Sequence, residues 1–271
     1  MSTFAKVICD SISNDGHRLT TLEVTMHRFV LAEFNTHRVF SRNSASSRAI
    51  PVRKIIDRVL ADPAIPLSWP SEKSGMQGGE PLSGDSAQTA EEMWLSARDE
   101  AVAVARRLMD LGVHKSISNR LLEPFMWHTV IVSATDWDNF WRLRLSPLAQ
   151  REISAAAFAM KSAYDKSQPE PLAQGEWHLP YIRPDERDMS LDIKMKVSAA
   201  RCARVSYLTH DGIRDVVKDI ELYDRLTTTT PPHASPLEHV ATPCPPGDEH
   251  RHLGNFTGWD QLRHRDLEDL S

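Results

Sequence analysis

Apolar and polar side chains alternate in two stretches near the start of the chain, which are rich in Val, Thr, Leu and Phe. The first is FAKVICDSIS, the second begins LTTLEVTMH, and Asn14-Asp15-Gly16 lies between them. A period of two around such a turn predicts two strands joined by a turn. The second strand is predicted to run into NTHRVFSRNSASSRAIP, residues 35–51, which is therefore expected at a strand end or in the following loop.

Later in the chain, apolar residues recur three and four positions apart, which predicts amphipathic helices. The clearest helix spans 87–111 and is expected to stop at Gly112. Another is predicted to begin at Ser146, with this residue as N-cap and Pro147 at the first helical position. The remaining predicted helices are 50–60, 114–124 (followed by an apolar, β-branched stretch), 190–208 (turning extended towards Tyr207) and 212–228.

Residues 62–86 contain four prolines and four glycines and are predicted to form a long surface loop. Loops of that length in compact proteins are usually lids, binding loops or disordered segments. The chain shows no tandem repeat and no clear domain boundary. We therefore predict a single α+β domain over residues 1–271, with a mixed or antiparallel sheet and several helices.

Composition and charge exclude several classes of protein. Of the 271 residues, 41% are hydrophobic and 25% are charged, which is ordinary for a soluble globular protein. The net charge of -5 argues against wrapping nucleic acid or lying on anionic lipid. Cys9, Cys202 and Cys244 are far apart, which argues against a disulfide framework or a structural zinc site. With no recognisable signal peptide or membrane span, we expect a cytoplasmic protein that binds neither membrane nor nucleic acid.

The stretch 35–51 is cationic although the whole chain is acidic: it has three arginines, one histidine and no acidic residue. Arginine forks and serine hydroxyls bind phosphate well, and short polar loops bring backbone N–H groups to an anion. A solvated polar loop is the alternative interpretation of such a composition. The candidate ligands, close enough in sequence to converge, are His37, Arg38, Ser41, Asn43, Ser46 and Arg48.

The heptapeptide HASPLEH, residues 233–239, has the pattern of a capping box. Ser235 is the predicted N-cap, Pro236 lies in the first turn and Glu238 follows three residues after the cap. A capped helix start explains this pattern but not the two flanking histidines. Their spacing differs from that of an H-E-x-x-H zinc site, and we expect no metal.

Two further segments, NRLLEPFMW and TDWDNFWRLR, combine charged and aromatic residues. Arg120 and Glu123 are spaced as a pair on a helix surface, and the tryptophans suit a core. Taken together, the segments place Arg120, Asn139 and Arg144 in aromatic surroundings. Such surroundings suit the binding of a flat, anionic ligand.

Together these motifs resemble the flavin-dependent thymidylate synthases. Residues 36–48, called the signature below, are similar to the family motif R-H-R-x-x-S-x-N-E-x-S-x-R at six of its eight defined positions. Residues 119–124 are similar to its A-R-x-x-L-P segment and residues 139–144 to its N-F-L-N-L-R segment. HASPLEH is similar to its H-E-S-P-L-E-H element. The resemblance implies a domain of that family's fold.

The order of the motifs differs from that of the family. There the H-x-S-P-L-E-H element precedes the signature, whereas here it follows it. AARCARVSY, which resembles the family's N-terminal A-A-R-V-S-Y, also lies late in the chain. The resemblance therefore implies a circular permutation that moves a segment of about 197–242 towards the end, a change tolerated where termini lie close together at the surface. GWDQLRHR is weakly similar to the family's Q-x-x-R-H-R.

Carried over position by position, the resemblance implies roles for individual residues. FAD would be contacted by His37, Arg38, Asn43, Asn139, His233 and Ser235. The phosphate of dUMP would be held by Ser46, Ser47, Arg48 and Arg120, with Arg120 arriving from a neighbouring subunit of a homotetramer. Arg144 would bind and polarise the uracil, and Arg144 and Ser46 are the expected catalytic residues. Ser235 would act through a capped helix N-terminus near a phosphate.

The implied reaction is the reductive methylation of dUMP to dTMP. NADPH would reduce FAD, methylenetetrahydrofolate would deliver one carbon, and the reduced FAD would supply the hydride that makes it a methyl group on C5. The loop around 70–86 would be able to close over nucleotide or folate. The expected partners are these small molecules and further copies of the chain.

Four positions depart from the family pattern and leave other functions open. Thr36 and Ser44 stand where the signature has Arg and Glu, and Asn119 and Glu123 stand where A-R-x-x-L-P has Ala and Leu. The alternatives are C5 methylation of UMP, a pyrimidine-nucleotide C5 hydroxymethylase acting on dUMP, UMP or dCMP, and a non-catalytic relative. A nucleic-acid-binding module is a further alternative, which the net charge disfavours.

Overall fold

The computed structural model describes residues 2–205, 215–248 and 252–266. The strands of its main sheet are β1 (Phe4–Ser13), β2 (Arg18–His27), β3 (Ser41–Ser44), β4 (Trp127–Ala134) and β5 (Glu170–Leu172). Their order in space is β3-β4-β2-β1-β5. β1 and β5 pair in parallel and the other neighbours are antiparallel, so the prediction of an α+β fold with a mixed sheet is confirmed.

Four short strands lie near the C-terminus. They are β6 (Ala241–Pro243), β7 (His252–Leu253), β8 (Phe256–Thr257) and β9 (Trp259–Gln261). β6 pairs with β9 and β7 pairs with β8, both antiparallel.

The helices of the described residues are α1 (Leu31–Asn35), α2 (Val52–Ala61), α3 (Asp85–Asp110), α4 (Lys115–Ser118), α5 (Asp138–Arg144), α6 (Arg151–Lys166), α7 (Leu191–Arg204), α8 (Val216–Thr228) and α9 (Leu262–Asp266). In the described part of the chain, 3-10 helices span Arg28–Val30, Asn119–Phe125, Pro184–Glu186 and Ser235–His239. The helices predicted over 50–60, 87–111, 114–124 and 212–228 are confirmed to within a few residues. The predicted extended end near Tyr207 lies outside the described residues.

The predicted turn between β1 and β2 is confirmed. Gly16 has a φ of 86°, a conformation that glycine adopts without steric cost, and its N–H donates to the carbonyl of Ser13 at 2.9 Å. In β2 the side chains of Leu22, Val24 and Met26 are fully buried, in the hydrophobic core that also contains residues of α6. The alternation seen in the sequence therefore does place one face of β2 in the core.

The other face of the sheet carries polar side chains beside the apolar Leu19 and Ile131, and it is covered by the second half of the chain. Thr21 of β2 and Ser133 of β4 are buried there and share a 2.6 Å hydrogen bond. His178 bonds to Thr21 at 2.8 Å, and His239 bonds to Ser133 at 2.8 Å. Residues far along the chain are thus joined to the central strands by hydrogen bonds.

The prediction that the second strand reaches residue 35 is wrong. β2 ends at His27, and the chain then forms a 3-10 turn and the short helix α1. Val30 and Phe34 are both fully buried, and this spacing of four residues matches a helix rather than a strand. The backbone N–H of Arg28 donates to the carbonyl of Met126 at 3.0 Å, at the point where β2 ends.

The predicted N-cap at Ser146 is also wrong. α6 begins at Arg151, with Gln150 as its N-cap residue. Ser146 instead starts a separate turn, in which its side-chain oxygen accepts from Leu148 N and its carbonyl accepts from Ala149 N. The Ser-Pro pattern therefore marks a turn that precedes the helix.

Helices α7 and α8 are joined by a buried cluster of ion pairs. Asp219 of α8 accepts hydrogen bonds from Arg201 Nε at 2.9 Å and Arg204 Nε at 2.7 Å, both on α7. Arg201 also makes two 2.6 Å bonds to Glu186. The side chains of Arg201 and Asp219 are only 4% and 2% exposed, so each charge depends on its partner.

Between α2 and α3, residues 62–84 contain no helix, which agrees with the predicted long loop. The loop is attached to the core at its beginning. Glu152 of α6 is buried and accepts from Leu67 N at 2.7 Å, and Trp94 of α3 donates to Ala64 O at 3.0 Å. Among the described helices, none has the length and apolar character of a membrane span.

Candidate functional site

The signature occupies a turn followed by the edge strand β3. Along β3 the side chains alternate: Ser41 and Asn43 are buried, whereas Arg42 and Ser44 are half-buried. Arg42 Nη1 donates to the carbonyls of Phe34, at 3.5 Å, and His37, at 3.4 Å. The same two carbonyls also accept backbone bonds, Phe34 O from His37 N and His37 O from Phe40 N, both at 3.3 Å.

Arg144, at the end of α5, reaches the beginning of the signature. Its Nε donates to Nε2 of His37 at 2.9 Å, and its Nη2 donates to Thr36 Oγ1 at 3.0 Å and to Glu33 O at 3.1 Å. The structure therefore brings together two residues that the sequence separates by more than a hundred positions. Thr36, which replaces a signature arginine, serves here as an acceptor for Arg144.

His37 is buried among aromatic rings. It stacks on Phe40 with ring centroids 5.6 Å apart and meets Phe140 edge to face at 4.8 Å. Burial, together with the charges of Arg144 and Arg42, lowers the pKa of His37 to about 4. The imidazole is therefore neutral at pH 7, and because Nε2 accepts from Arg144, its proton lies on Nδ1.

A single carboxylate oxygen connects the end of the signature to the Asn119–Phe125 helix. Oε1 of Glu123 accepts from Ser47 Oγ at 2.7 Å, from Arg28 Nη2 at 2.8 Å and from Arg120 Nη1 at 2.9 Å. Arg28 Nη1 also donates to Nδ1 of His128 at 2.7 Å. Arg120 thus lies beside the signature of its own chain.

Asn119 makes a second connection to the same part of the signature. Its Nδ2 donates to Ser47 O at 2.6 Å and to Ile50 O at 2.9 Å, and the side chain is fully buried. Residues 119–124 are called the second motif below. The two positions where this motif departs from the family's A-R-x-x-L-P pattern, Asn119 and Glu123, are therefore the two that bind the signature.

A cleft of about 470 Å³ opens beside Glu123. Its wall combines two guanidinium groups and one carboxylate with apolar surface, which suits an anion attached to a flat apolar group. The lining residues are Arg28, Phe29, Leu31, Ala32, Asn35, Arg120, Glu123 and Pro124.

HASPLEH also lies against the signature: the 3-10 helix Ser235–His239 contacts β3. Ser41 Oγ of β3 accepts from Gln261 Nε2 at 3.2 Å and from Asn255 Nδ2 at 3.3 Å. Gln261 Nε2 also donates to Glu238 O at 3.1 Å. The HASPLEH and GWDQLRHR segments therefore meet at β3, although the sequence places them some two hundred residues after it.

The predicted capping box at Ser235 is wrong. The N-cap residue of this 3-10 helix is Ala234, without a side-chain cap, and Ser235 is the exposed first residue of the helix. The helix is only five residues long because the chain enters β6 at Ala241. The suggested phosphate contact through a capped helix N-terminus loses its structural basis.

His239 forms one end of a buried chain of hydrogen bonds. From Ser133 the chain continues through Thr21 to His178, whose Nδ1 bonds to Ser11 Oγ at 2.9 Å. Burial lowers the pKa of both His178 and His239 to about 3, so both are neutral at pH 7. The network fixes the docking of the C-terminal segment on the sheet.

Several predicted site residues stand apart from these contacts. Asn139 is exposed and accepts from Arg142 Nη2 at 3.0 Å. Ser46 is half-buried. Arg38, Arg48, His233 and Ser235 are exposed as well.

The sequence did not single out Arg28, Gln261 or Asn255 as individual site residues. Only Gln261 had a signal, because it lies in the weakly matching segment GWDQLRHR. Arg28 is bound to Glu123 across 95 positions and to His128 across 100, and no local pattern predicts such pairings.

Comparison with known proteins gives a family and a fold. The family described as thymidylate synthase complementing protein, Thy1, matches residues 16–170. A crystal structure of the UMP/dUMP methylase PolB from Streptomyces cacaoi, bound with 5-Br UMP, has a TM-score of 0.50 at 20% identity, and the match covers 61% of this chain and 90% of PolB. The same protein bound with 5-Br dUMP gives a TM-score of 0.46 at 17% identity, over 61% and 91%.

No curated protein sequence matches the chain. The likeness to PolB concerns the fold. The family match includes the signature and the segments around Arg120 and Arg144, and it spans more than half of the 271 residues. The resemblance inferred from the motifs is confirmed: the chain belongs to the thymidylate synthase complementing protein family, Thy1, whose members are thymidylate synthase-type, flavin-dependent methyltransferases.

Proposed function

We propose that the protein methylates dUMP at C5 to give dTMP, with FAD as cofactor, methylenetetrahydrofolate as carbon donor and NADPH as reductant. The observation that supports this most is the contact of Arg144 with His37 and Thr36. It joins the uracil-binding candidate of the N-F-L-N-L-R segment to the flavin-binding candidate of the signature. Two motifs without a common function are not expected to form such a contact.

The residues present fit a flavin. Nδ2 of Asn43 is buried and has no hydrogen-bond partner among the described residues, and neither has Oε1 of Gln261. Unmatched buried polar atoms are costly, so a ligand that pairs with them is favoured. FAD would be held by Asn43, His37 and Arg38, with Asn139, His233 and Ser235 as further contacts. When bound, it supplies the hydride that turns the transferred carbon into a methyl group.

For the nucleotide, we assign the phosphate to the end of the signature. Ser46, Ser47 and Arg48 lie there, and Arg120 is joined to Ser47 through Glu123. Arg48 and Arg120 provide guanidinium groups of the kind that bind phosphate in two-point contacts. The cleft beside Arg120 would accept the attached nucleoside.

Arg144 is assigned to the uracil ring, and Ser46 is proposed as a second catalytic residue at the nucleotide. The Arg144 Nε is directed to His37, and Nη2 is directed to Thr36, so the guanidinium plane is held in one orientation. A fixed guanidinium beside a uracil carbonyl stabilises negative charge that develops on the ring during bond formation at C5. Because His37 is neutral, it orients Arg144 without offsetting the positive charge of the guanidinium group.

The order of the chain supports a rearranged single domain. The contact of the Ser235–His239 helix with β3 and the bonds from Gln261 to Ser41 support the view that the late segment, about 197–242, takes the place of an N-terminal segment of the family. We propose one domain over 1–271 with this permuted order, in a homotetramer like that implied by the family resemblance.

UMP is the second candidate substrate, because Thr36 removes a cation that the signature normally provides. The PolB protein, which shares the fold, is described as a UMP/dUMP methylase. We propose to measure initial rates with dUMP and with UMP at equal concentrations. If kcat/KM is higher for UMP than for dUMP, UMP replaces dUMP as the proposed substrate.

The first experiment is a visible absorption spectrum of the purified protein, followed by titration with FAD. The proposal expects a flavin band, or a saturable spectral change on addition of FAD. A protein with no flavin band that leaves the FAD spectrum unchanged would refute the flavin chemistry. Steep salt dependence of duplex DNA binding in such a protein would support the nucleic-acid alternative.

A further inference from the structure

The turn at residues 46–50 is held by the second motif and by few contacts of its own. Within it, Ala49 N donates to Ser46 O at 3.0 Å. Asn119 binds the carbonyls of Ser47 and Ile50, and Glu123 binds the Ser47 hydroxyl. Lys115 Nζ also donates to Ala49 O at 3.1 Å, so three side chains fix the shape of the turn from outside.

These contacts leave one side of the turn free to bind an anion. Two of the turn's carbonyls are occupied by Asn119. Among the described residues, the backbone N–H groups of Ser46, Ser47 and Arg48 donate no hydrogen bond. Successive free N–H groups in a turn form a concave site for anions, and here the guanidinium of Arg120 is held nearby through Glu123.

We propose that Asn119 and Glu123 are positioning residues, which hold the 46–50 turn and Arg120 in the arrangement that binds the nucleotide phosphate. The inference rests on the proposed function, since that function places the phosphate at this turn. This positioning role explains why Asn119 and Glu123, the two residues of the second motif that differ from the family pattern, both contact the same turn. A carboxylate is missing from the signature at Ser44, and the carboxylate of Glu123 reaches the signature from another segment.

The sign of the charge makes Glu123 a sharp test. A carboxylate next to a phosphate repels it, so on charge alone its removal strengthens phosphate binding. If Glu123 instead acts by positioning, Glu123→Leu weakens the binding of dUMP although a repulsive charge has gone. Glu123→Gln keeps an oxygen acceptor for Ser47 and Arg120, and it is expected to retain binding as tight as wild type or tighter.

Asn119→Ala tests the same inference without any change of charge. It removes the donor to two carbonyls and installs the residue of the family pattern. The matched control is Ser198→Ala, which also removes a buried side-chain donor to a carbonyl, that of Pro180 at 2.7 Å, between α7 and the chain segment before it.

The experiment measures dissociation constants of dUMP and of FAD for the full-length protein, with dUMP titrated calorimetrically into the FAD-loaded form. We expect the dUMP constant to rise about tenfold or more in Asn119→Ala and Glu123→Leu, the equivalent of losing one or two hydrogen bonds. The FAD constant should change less than about twofold, and Ser198→Ala and Glu123→Gln should bind dUMP at least as tightly as wild type.

Each other outcome has a distinct meaning. Unchanged or tighter dUMP binding in Asn119→Ala and Glu123→Leu overturns the inference, and so does an equal loss of dUMP and FAD binding, which indicates general disruption. If Asn119→Ala does not fold, the comparison of Glu123→Leu with Glu123→Gln decides alone. Wild-type protein that binds FAD but no dUMP refutes the proposed function instead.

Discussion

Nε of Arg144 donates a 2.9 Å hydrogen bond to Nε2 of His37, and this bond connects the end of α5 to the turn that begins the signature. His37 can accept it only while its Nε2 is unprotonated, which the low pKa of about 4 ensures at neutral pH. The histidine therefore orients the arginine without adding a second charge. The orientation of Arg144 is the feature on which the proposed activation of uracil depends.

Replacing Arg144 by lysine should lower kcat with dUMP about a hundredfold, because lysine keeps the charge but loses the planar fork. The dissociation constant of FAD should change little. Steady-state kinetics with saturating dUMP checks the first statement, and a spectral FAD titration checks the second. Arg151→Lys, a change at an exposed position at the start of α6, is the control. A kcat within twofold of wild type in Arg144→Lys would exclude this role.

Replacing Asn43 by leucine should separate ligand binding from stability. Nδ2 of Asn43 is buried without a hydrogen-bond partner among the described residues. Removing this unpaired group should therefore raise the unfolding free energy of the ligand-free protein by about 1–3 kcal/mol. The dissociation constant of FAD should rise about tenfold, as one hydrogen bond is lost. Urea unfolding of the ligand-free protein and FAD titration measure the two quantities. A lower unfolding free energy together with an unchanged dissociation constant of FAD would contradict the assignment of Asn43 to the FAD site.

Replacing Asp219 by asparagine should destabilise the fold by about 3 kcal/mol, because it removes the buried carboxylate that pairs with Arg204 and that shares Arg201 with Glu186. Urea unfolding followed by circular dichroism measures the change. The exposed pair Lys161–Asp165 provides the control, and Asp165→Asn should cost less than about 1 kcal/mol. Equal costs for the two variants would show that burial of the α7–α8 cluster does not matter.

The stability of the protein should fall as the pH drops below about 6.5. Burial lowers the pKa of His178 and His239 to about 3, so these groups stay neutral in the folded protein while the unfolded chain takes up protons from its ordinary value of 6.5 downwards. The stabilisation is present above pH 6.5 and is lost progressively as the pH falls towards 3, by about 1.4 kcal/mol per pH unit for each group.

The variant His178→Gln tests this account of the pH dependence. It should be less stable than wild type at pH 7, because it changes the bonds to Thr21 and Ser11, and its stability should fall less steeply below pH 6.5. The midpoint of thermal unfolding between pH 7 and pH 4 measures the slope, with the exposed His114→Gln as control. Parallel curves for His178→Gln and wild type would assign the pH dependence to other groups.

Local patterns predicted much of the fold because local forces determine it. The β1–β2 turn follows from Gly16, and α3 follows from its apolar spacing and the glycine after it. The strand predicted up to residue 35 failed because Val30 and Phe34 are buried at helical spacing within a stretch too short to show a period. The capping box at Ser235 failed because the 3-10 helix begins at Ser235 itself, so that Ala234 rather than Ser235 is the N-cap residue.

The candidate site was predictable only as a set of separate motifs. Their meeting in space depends on contacts between distant residues, such as that of Glu123 with Ser47 across 76 positions. Glu123 stands where the family pattern has the apolar Leu, which indicates that the surroundings of this position are different. The hydrogen-bond partners of Glu123, however, depend on the tertiary structure and have no local signal in the sequence. The same holds for Gln261, whose hydrogen bond to Ser41 spans 220 positions.

The most direct test of the proposed function is the identity of the nucleotide product. Full-length protein is incubated with FAD, NADPH, methylenetetrahydrofolate and dUMP, and the nucleotides are separated and identified by mass spectrometry. We predict dTMP, formed only when both FAD and the folate are present, and formed far more slowly by Arg144→Lys. A hydroxymethylated nucleotide, or unchanged dUMP with protein that has bound FAD, would contradict the proposed reductive methylation.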